Sequence, residues 1–375
     1  MSNFLDKGGW RCKYQENLRP PMKKNLLFFF FIVLFFSGTA QTGGDRVFEF
    51  LHLSPSARVT ALGGQLLAVR DNDLALAAEN PGLLYEGMNK QLSFNYNFHV
   101  ADISNGYAAY GHHSKKLGMT FQGGVQFINY GDFTQTNEFN EVLGSFNAAE
   151  YAIHVGAAKQ LYANLSVGAS LKFITSQLES YQSTGLALDL GAYYRDTSSN
   201  FSAAIVIKNA GITLSSYTDN NREYLPFEIN IGVAQKLKYL PFRLSINYRN
   251  LDQWNILYDD PNVIDQGPLL GDSEPQERSG FAIGMDNFFR HLSFGGEFLF
   301  GKRENFRMRI GYNHLRRAEL KVANFRSLTG FSFGVGFKVS KFRVEYGRGS
   351  YHLAGGVNHL SISTSLNEFK NKRKQ

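Results

Sequence analysis

Between residues 90 and 366, apolar and polar residues alternate through a series of short segments. In the segment 331–338, Phe or Val occupies each odd position, and Ser, Gly or Lys occupies each even position. A period of two places the two sets on opposite faces of a β-strand. The pattern therefore predicts strands with one apolar, often aromatic face and one polar face. The same alternation recurs at 93–98, 151–156, 229–234, 242–249, 306–313 and 360–366.

Strands of this kind fit two environments. In a soluble β-sandwich the polar face meets water, whereas in a membrane β-barrel the apolar face meets lipid and the polar face lines the lumen. Aromatic residues make up 14% of the chain, which favours the barrel because aromatic side chains suit strands that face an apolar solvent. The mean hydropathy of -0.26 excludes a helical membrane protein but not a barrel, in which only every second residue faces lipid.

The connections between the strands alternate between short and long, as expected of periplasmic turns and extracellular loops. A first count gives an odd number of strands, whereas a barrel with both ends on one side needs an even number. The apolar positions of residues 281–291 have helical spacing, so we assign this segment to a helix within a loop. The prediction is an all-β protein, a 14-stranded antiparallel transmembrane β-barrel at residues 90–366. Long connections are predicted at 131–148, 211–224, 251–290, 314–329 and 347–355.

The N-terminal region has the three parts of a secretory signal peptide. A Met-Lys-Lys start precedes an apolar run at 26–36, and small residues follow at 37–40. The run is too short to span a bilayer as a helix, which needs about 20 residues. We therefore predict a signal peptide at 22–40, cleavage between Ala40 and Gln41, and export to the outer membrane of a Gram-negative bacterium.

Residues 1–21 are interpreted as an upstream mis-start, because a complete signal begins after them. The single cysteine, Cys12, lies in this stretch, so a mature chain would have no disulfide and no cysteine-based site. Residues 1–40 hold six basic and two acidic residues, so their removal lowers the formal net charge from +7 to +3. The basic C-terminal tail at 367–375 carries that remainder. The barrel region is near neutral, which gives nucleic-acid binding no electrostatic support.

Residues 41–89 precede the alternating region, and we name them the hatch segment. Their central part, 56–84, is rich in small residues and weakly helical, with Gly63-Gly64 as a break and Asn80-Pro81 as a stop. We interpret this segment as a compact N-terminal hatch around which the barrel wraps. The alternative is a helical hairpin packed on the outside of a soluble sheet.

The sequence contains fragments of catalytic and metal-binding motifs, but none in the context that the chemistry requires. The G-x-S-x-G match at 330–334 lies within an alternating strand, whereas a nucleophile elbow needs a strand-to-helix turn. None of the nine histidines has H-E-x-x-H spacing. Asp71 and Asp73 are interpreted as hydrogen-bond partners of the hatch backbone rather than as a cation site. We therefore predict no enzyme activity, no catalytic residue, no metal and no cofactor.

Charged residues fall on the polar faces of the late predicted strands, where they would line the lumen. One interpretation is an interior that is filled with water or packed against the hatch segment. The other is a path for an anionic ligand. The predicted lumen charges are Arg243, Arg249, Arg307, Arg309, Lys338, Arg343 and Glu345.

The hatch segment carries the features by which the chain resembles a known family. A small-residue run with Gly63 and Gly64 is followed by the acidic pair Asp71 and Asp73, and then by Asn-Pro-Gly-Leu at 80–83. This order resembles the FadL family of outer-membrane transporters. The resemblance implies fourteen strands behind an N-terminal hatch.

Within that family, the chain is similar to the PorV/PorQ branch of the type IX secretion system of Bacteroidetes, and to PorQ more than to PorV. The similarity lies at 290–298, 311–320 and 347–352. It implies a barrel that anchors a partner of the cargo attachment complex, a PorZ-like or PorU/PorV-like protein. A FadL-like transporter of hydrophobic small molecules and a PorV-like cargo shuttle are the alternatives. The chain departs from the usual barrel pattern after Phe369, where six polar or basic residues follow the aromatic.

The 251–290 connection is the predicted docking site for the partner. It combines apolar residues with acidic ones, and such a loop favours protein docking. The alternative is a loop folded back over its own barrel mouth. The predicted docking residues are Trp254, Ile256, Leu257, Tyr258, Asp259 and Asp260.

The two faces of each strand predict different responses to an introduced charge. Arginine at Phe333 or Ile246, on the predicted lipid face, should destabilise the barrel by roughly 2–4 kcal/mol. The same change at Ser332 or Asn247, on the predicted lumen face, should cost less.

Overall fold

The computed structural model describes residues 46–99, 102–218, 223–257, 279–301, 304–321, 327–352 and 355–370. Fourteen antiparallel strands form one closed barrel, in which the first strand pairs with the last. This closing ladder runs from the Gln91–Ser365 pair to the Phe98–Asn358 pair. The prediction of a 14-stranded antiparallel barrel is confirmed.

The elements follow one another along the chain, with the helices before, between and after the strands. The strands are β1 (Gln91–Phe98), β2 (Ser104–Ser114), β3 (Met119–Thr136), β4 (Val142–Tyr162), β5 (Leu165–Leu178), β6 (Tyr181–Asp196), β7 (Phe201–Ser215), β8 (Glu228–Lys236), β9 (Phe242–Tyr248), β10 (Leu292–Phe300), β11 (Phe306–Asn313), β12 (Phe331–Val339), β13 (Phe342–His352) and β14 (Gly355–Ser365). The helices are α1 (Ala57–Ala61), α2 (Gly280–Arg290), α3 (His314–Leu320) and α4 (Asn367–Lys370), with 3-10 helices η1 (Glu49–His52), η2 (Leu74–Ala78), η3 (Pro81–Leu83) and η4 (Glu86–Met88).

The barrel has two different ends. One end carries the brief connections β2–β3, β4–β5, β6–β7, β8–β9, β10–β11 and β12–β13, and we name it the short-turn end. The other, the long-loop end, carries the β7–β8, β9–β10 and β11–β12 connections. The segment 281–291, predicted as a helix and not a strand, contributes to α2 in the β9–β10 connection.

The outer and inner faces of the barrel differ as the alternation predicts. Along β1, Phe94 and Phe98 are 54% and 48% exposed, whereas Ser93, Asn95 and Asn97 are buried. Because the ring is closed, no second sheet in the described ranges covers these outward apolar side chains, and lipid is the solvent that suits them. The fold is that of a transmembrane β-barrel.

The wall is taller along β3–β7 than along β8–β12. The five strands β3–β7 contain 14 to 21 residues, whereas β8–β12 contain 7 to 9. About 9–11 residues suffice to cross a bilayer as a tilted strand. The taller strands therefore continue beyond the membrane.

The predicted long connection at 131–148 is wrong, because β3 continues to Thr136 and β4 starts at Val142. The predicted connections at 211–224 and 347–355 are shorter than expected for the same reason. Beyond the membrane both faces of a strand meet water, so the apolar–polar alternation fades while the backbone pairing continues.

The hatch segment, described from Arg46, lies inside the barrel. Helix α1 contacts β11–β14, whereas η3 contacts β4–β6 and η2 contacts β1 and β2. The backbones approach closely: a methyl group on Gly334 of β12 would lie 2.5 Å from Cβ of Ala61, and one on Gly168 of β5 would lie 2.5 Å from the carbonyl of Pro81. Glycine at these lumen positions allows the wall and the hatch segment to touch.

The break and the stop predicted within the hatch segment are both present. Gly63 and Gly64 follow α1 with φ values of 90° and 92°, a left-handed conformation that favours glycine. Helix η2 ends at Ala78 and Asn80 is extended. Asn80 and Pro81 also begin η3, because the Asn80 side chain accepts a hydrogen bond from the Gly82 amide at 2.8 Å and Pro81 occupies the first helical turn. Proline is tolerated there because its missing N–H has no helical partner.

Some of the sequence predictions concern residues outside the described ranges. These are the mis-start at 1–21, the signal peptide at 22–40 with its cleavage site between Ala40 and Gln41, and the end of the tail at 371–375. Within the described ranges, no helix is both long enough and apolar enough to cross a bilayer.

Candidate functional site

Arg58 lies at the centre of a charge cluster between the hatch segment and the wall. Helix α1 holds it in place, with the Ser56 side chain capping the helix by accepting from the Val59 amide. The Arg58 side chain is fully buried. Its Nη1 lies 2.8 Å from Asp71 and 3.2 Å from Asp73, and its Nη2 lies 2.9 Å from Glu297 on β10.

The wall supplies the other charges of this cluster. Glu297 accepts from Arg243 at 2.9 Å and from Arg309 at 2.8 Å, and Arg309 also binds Glu345 at 2.7 Å. Arg307 reaches Asp71 at 3.3 Å. Arg58 and these three wall arginines thus face Asp71, Asp73 and two wall glutamates. A buried charge is tolerated when it is paired and hydrogen-bonded, as each of these is.

Two of the remaining predicted lumen charges, Arg249 and Lys338, lie apart from this cluster, whereas Arg343 lies beside Glu345 on the same face of β13. Arg249 pairs with Glu228 at 2.8 Å, and Lys338 pairs with Glu368 of α4 at 2.6 Å. Arg343 forms no ion pair with a residue that the structure describes, and its Nη1 is buried without a hydrogen-bond partner there. The structure therefore joins Arg243, Arg307, Arg309 and Glu345 by ion pairs, places Arg343 beside them without an ion pair in the described ranges, and leaves Arg249 and Lys338 elsewhere.

A second set of buried ion pairs connects the hatch segment with the opposite wall. Lys172 of β5 and Asp189 of β6 are 2.6 Å apart, and Lys208 of β7 lies 3.6 Å from Glu79 of the hatch segment. None of these residues was predicted from the sequence, and neither were Arg58 and Glu297. The one feature of the sequence that marks them is that each is a single charged residue on the polar face of a strand or within the hatch segment.

Ser332, the serine of the G-x-S-x-G match, binds the hatch backbone. Its hydroxyl donates to the Ala61 carbonyl at 3.1 Å and accepts from the Gly63 amide at 3.1 Å. These contacts are structural, since they join β12 to the end of α1.

Asn247 binds the hatch backbone in the same way, donating to the Gln65 carbonyl at 3.0 Å and accepting from the Leu67 amide at 3.2 Å. Hatch backbone therefore fills the space in front of both Asn247 and Ser332. The expectation that these lumen positions tolerate arginine more easily than the lipid face assumed open space, and hatch backbone occupies that space.

At the long-loop end, the first predicted docking residues pack against α2. The Trp254 carbonyl accepts from the Asn287 side chain at 2.5 Å, and the Ile256 amide donates to the same side chain at 3.2 Å. The Trp254 ring stacks on His291, yet Trp254 remains 61% exposed. Tyr258, Asp259 and Asp260 lie outside the described residues, and the structure places Leu257 at the end of the described stretch.

Helix α2 presents an apolar surface beside Trp254. Asp286 fixes the helix to α3, since its carboxylate lies 3.1 Å from His314, and within α2 the same carboxylate lies 2.9 Å from Arg290. Burial alone would raise the pKa of Asp286, but the hydrogen bonds from His314 and Arg290 lower it below its ordinary value. The exposed apolar residues of α2 are Phe281, Ile283, Met285, Phe288 and Phe289.

In the part of the chain that the structure describes, no three His, Cys, Asp or Glu side chains are grouped as metal ligands. Asp71 and Asp73 both face Arg58, so arginine occupies the position that a cation would take.

No family model matches the sequence, and no curated protein does. Several solved structures are similar. The toluene transporter TodX of Pseudomonas putida is 11% identical with a TM-score of 0.44, over 83% of this chain and 96% of TodX. The monoaromatic hydrocarbon channel CymD is 15% identical with a TM-score of 0.49, over 85% and 99%. A FadL homologue of Pseudomonas aeruginosa is 10% identical with a TM-score of 0.43, over 83% and 98%. Values at this level assign neither a family nor a function.

The closed ring, the apolar outer face and the hatch inside the lumen define the class of protein. It is a transmembrane β-barrel of the outer-membrane type, with fourteen strands.

Proposed function

We propose that the protein is a non-enzymatic outer-membrane component that holds a protein partner at the cell surface. The observation that carries this proposal is the exposed apolar surface at the long-loop end, formed by α2 and Trp254. In outer-membrane barrels the long loops face the exterior. Contiguous exposed apolar residues on a protein surface mark interaction sites more often than chance.

The composition of this surface supports docking of a protein. Phe281 is 79% exposed and Trp254 is 61% exposed, and large aromatic side chains of this kind dominate the binding energy of protein interfaces. The surface is also held in one shape, because Asn287 and His291 bind the Trp254 carbonyl and Asp286 binds α3. A preorganised surface loses less entropy when a partner binds.

The interior of the barrel supports anchoring over transport. Arg58 and its carboxylate partners join the hatch segment to β9–β11 and β13, while Glu79 reaches β7 on the other side. A solute passing through the lumen would have to separate these buried pairs, each of which is costly to break.

The identity of the partner rests on the sequence resemblance to PorQ of the type IX secretion system. On that basis we propose a PorZ-like or PorU/PorV-like protein of the cargo attachment complex as the partner. A PorV-like role as a cargo shuttle and a FadL-like role in the uptake of hydrophobic small molecules are the competing functions.

The test replaces apolar residues on the docking surface without shortening the loop. A double variant, Phe281→Ser with Met285→Ser, should release the partner from the cell surface while the barrel remains inserted and heat-modifiable on gels. A pull-down from detergent-solubilised outer membrane, with partners identified by mass spectrometry, measures the release.

The control is Leu240→Ser, which removes a side chain that is 61% exposed at the short-turn end. It should retain the partner. If the double variant and this control retain the partner equally, α2 is not the anchor. If the double variant instead loses uptake of long-chain fatty acids, the transporter function replaces the one proposed.

A further inference from the structure

A small cationic cavity lies inside the barrel at the short-turn end. Its volume is about 60 Å³, which is space for about two water molecules or one small oxyanion. It lies close to the β6–β7 and β8–β9 turns, since Asn200 and Lys236 line it. The complete lining is Val69, Arg70, Tyr193, Arg195, Asn200, Ser202, Ala234, Lys236 and Arg243.

The lining contains four cationic side chains and no carboxylate. Arg243 is balanced by Glu297 and Asp71 of the central cluster, and Lys236 is balanced by Glu304 at 2.5 Å. Arg70 and Arg195 form no ion pair with any residue in the described ranges. The cavity therefore holds two positive charges that the chain itself does not neutralise.

Arg70 is fixed in position by neutral groups. Its Nη1 donates to Gln160 at 2.9 Å and its Nη2 donates to the Gly82 carbonyl at 2.6 Å. The guanidinium lies 4.3 Å from the centre of the Tyr193 ring, at cation–π distance. Its Nε is buried and has no hydrogen-bond partner in the described part of the chain. Arg70 is thus held in one position at the wall of the cavity.

Arg70 stays protonated despite its surroundings. Burial lowers the pKa of Arg70 to about 10, the aromatic neighbours oppose this decrease, and the charge of Arg195 adds to it. A bound anion would relieve the electrostatic repulsion between the Arg70 and Arg195 side chains.

We infer that this cavity binds a single small oxyanion, the carboxylate or phosphate group of a ligand that enters from the periplasm. Arginine presents planar pairs of donors that match both groups, and the partly enclosed lining strengthens the attraction by limiting the screening by water. The cavity is large enough for the anionic group alone, so the rest of a larger ligand would remain outside it, at the short-turn end of the barrel. This site lies at the end of the barrel opposite to the proposed docking surface, and its function is independent of that surface.

The experiment measures anion binding to the full-length barrel in detergent by isothermal titration calorimetry, with inorganic phosphate and with acetate as probes. Arg195→Gln should weaken binding about tenfold or more, because it removes one charge-assisted contact. Arg70→Gln should do the same. Arg195 is exposed, so its variant keeps the fold even if Arg70→Gln loosens the hatch segment, which heat-modifiability on gels would reveal.

The matched control is Lys116→Gln, which removes the same charge from the exposed β2–β3 turn and should leave binding unchanged. Binding of either probe supports the inference, and the probe that binds more tightly identifies the ligand group as phosphate or carboxylate. The inference is overturned if the wild type binds neither probe at millimolar concentration, or if Arg195→Gln and Lys116→Gln bind equally.

Discussion

Arg58 shows what a single residue contributes to the closed lumen. It contacts three carboxylates, two from the hatch segment and Glu297 from the wall, and it is inaccessible to solvent. The sequence indicated Asp71 and the wall arginines through their positions, but not Arg58. A lone arginine within a small-residue run has no local signature, and its pairing depends on a contact with a residue 239 positions away.

We predict that Arg58→Ala destabilises the barrel by about 3–5 kcal/mol, because it leaves buried carboxylates without their cation. The free energy of unfolding in lipid vesicles measures the effect. Lys116→Ala is the control, since Lys116 is exposed in the β2–β3 turn, away from the lipid face and from the charge cluster. This control should change the free energy of unfolding by less than about 0.5 kcal/mol. Equal losses in the two variants would contradict a structural role for the charge cluster.

At the scale of elements, the alternation predicted the strands well within the membrane and poorly beyond it. β12 has its aromatic residues outside and its Ser and Gly inside, as the sequence indicated. The extensions of β3 and β4 escaped prediction because both of their faces meet water. The contacts of Ser332 and Asn247 with the hatch segment could not be predicted either. The alternation identifies a lumen-facing position but does not show whether water or backbone lies against it.

We predict that Phe333→Arg destabilises the barrel by about 2–4 kcal/mol, since it places a charge on the lipid face. Ser332→Arg should cost at least as much, because the new side chain would displace the backbone of Ala61 and Gly63. Leu240→Arg, in the exposed β8–β9 turn, is the control for an added charge and should be nearly neutral.

Unfolding in lipid vesicles again measures the three variants. If Ser332→Arg lowers the free energy of unfolding only slightly while Phe333→Arg lowers it strongly, the hatch backbone does not fill the space beside Ser332. Equal, small costs for Phe333→Arg and Leu240→Arg would mean that Phe333 does not face lipid.

For the whole molecule, the sequence predicted the number of strands, the closed antiparallel topology and the face that meets lipid. It also predicted the helix at 281–291. These properties follow from local periodicity and from the even-number rule. The register of the hatch segment against the wall could not be predicted, because contacts such as Gly334 with Ala61 join elements that share no local pattern.

We predict that deletion of residues 56–84 prevents formation of a stable barrel. The deletion would remove α1, η2 and η3, expose the polar inner faces of β1, β2, β4–β6 and β11–β14, and leave Glu297 and Asp189 in an unfilled lumen. The measurement is the heat-modifiable band of the outer-membrane fraction. The hypothesis fails if the deleted form inserts and shows this band as the wild type does.

The contacts of α1 also determine the order in which parts of the protein can fold. The Ala57 amide donates to Ser361 of β14, a residue 304 positions later, and β1 must pair with β14 to close the ring. Helix α1, near the start of the described chain, therefore cannot form its contacts with β14 until the last strand has been synthesised and has reached the membrane. Contacts this distant in sequence form slowly. During that interval the small apolar residues of the hatch are open to aggregation, and a periplasmic chaperone that shields unfolded chains would have most effect on these residues.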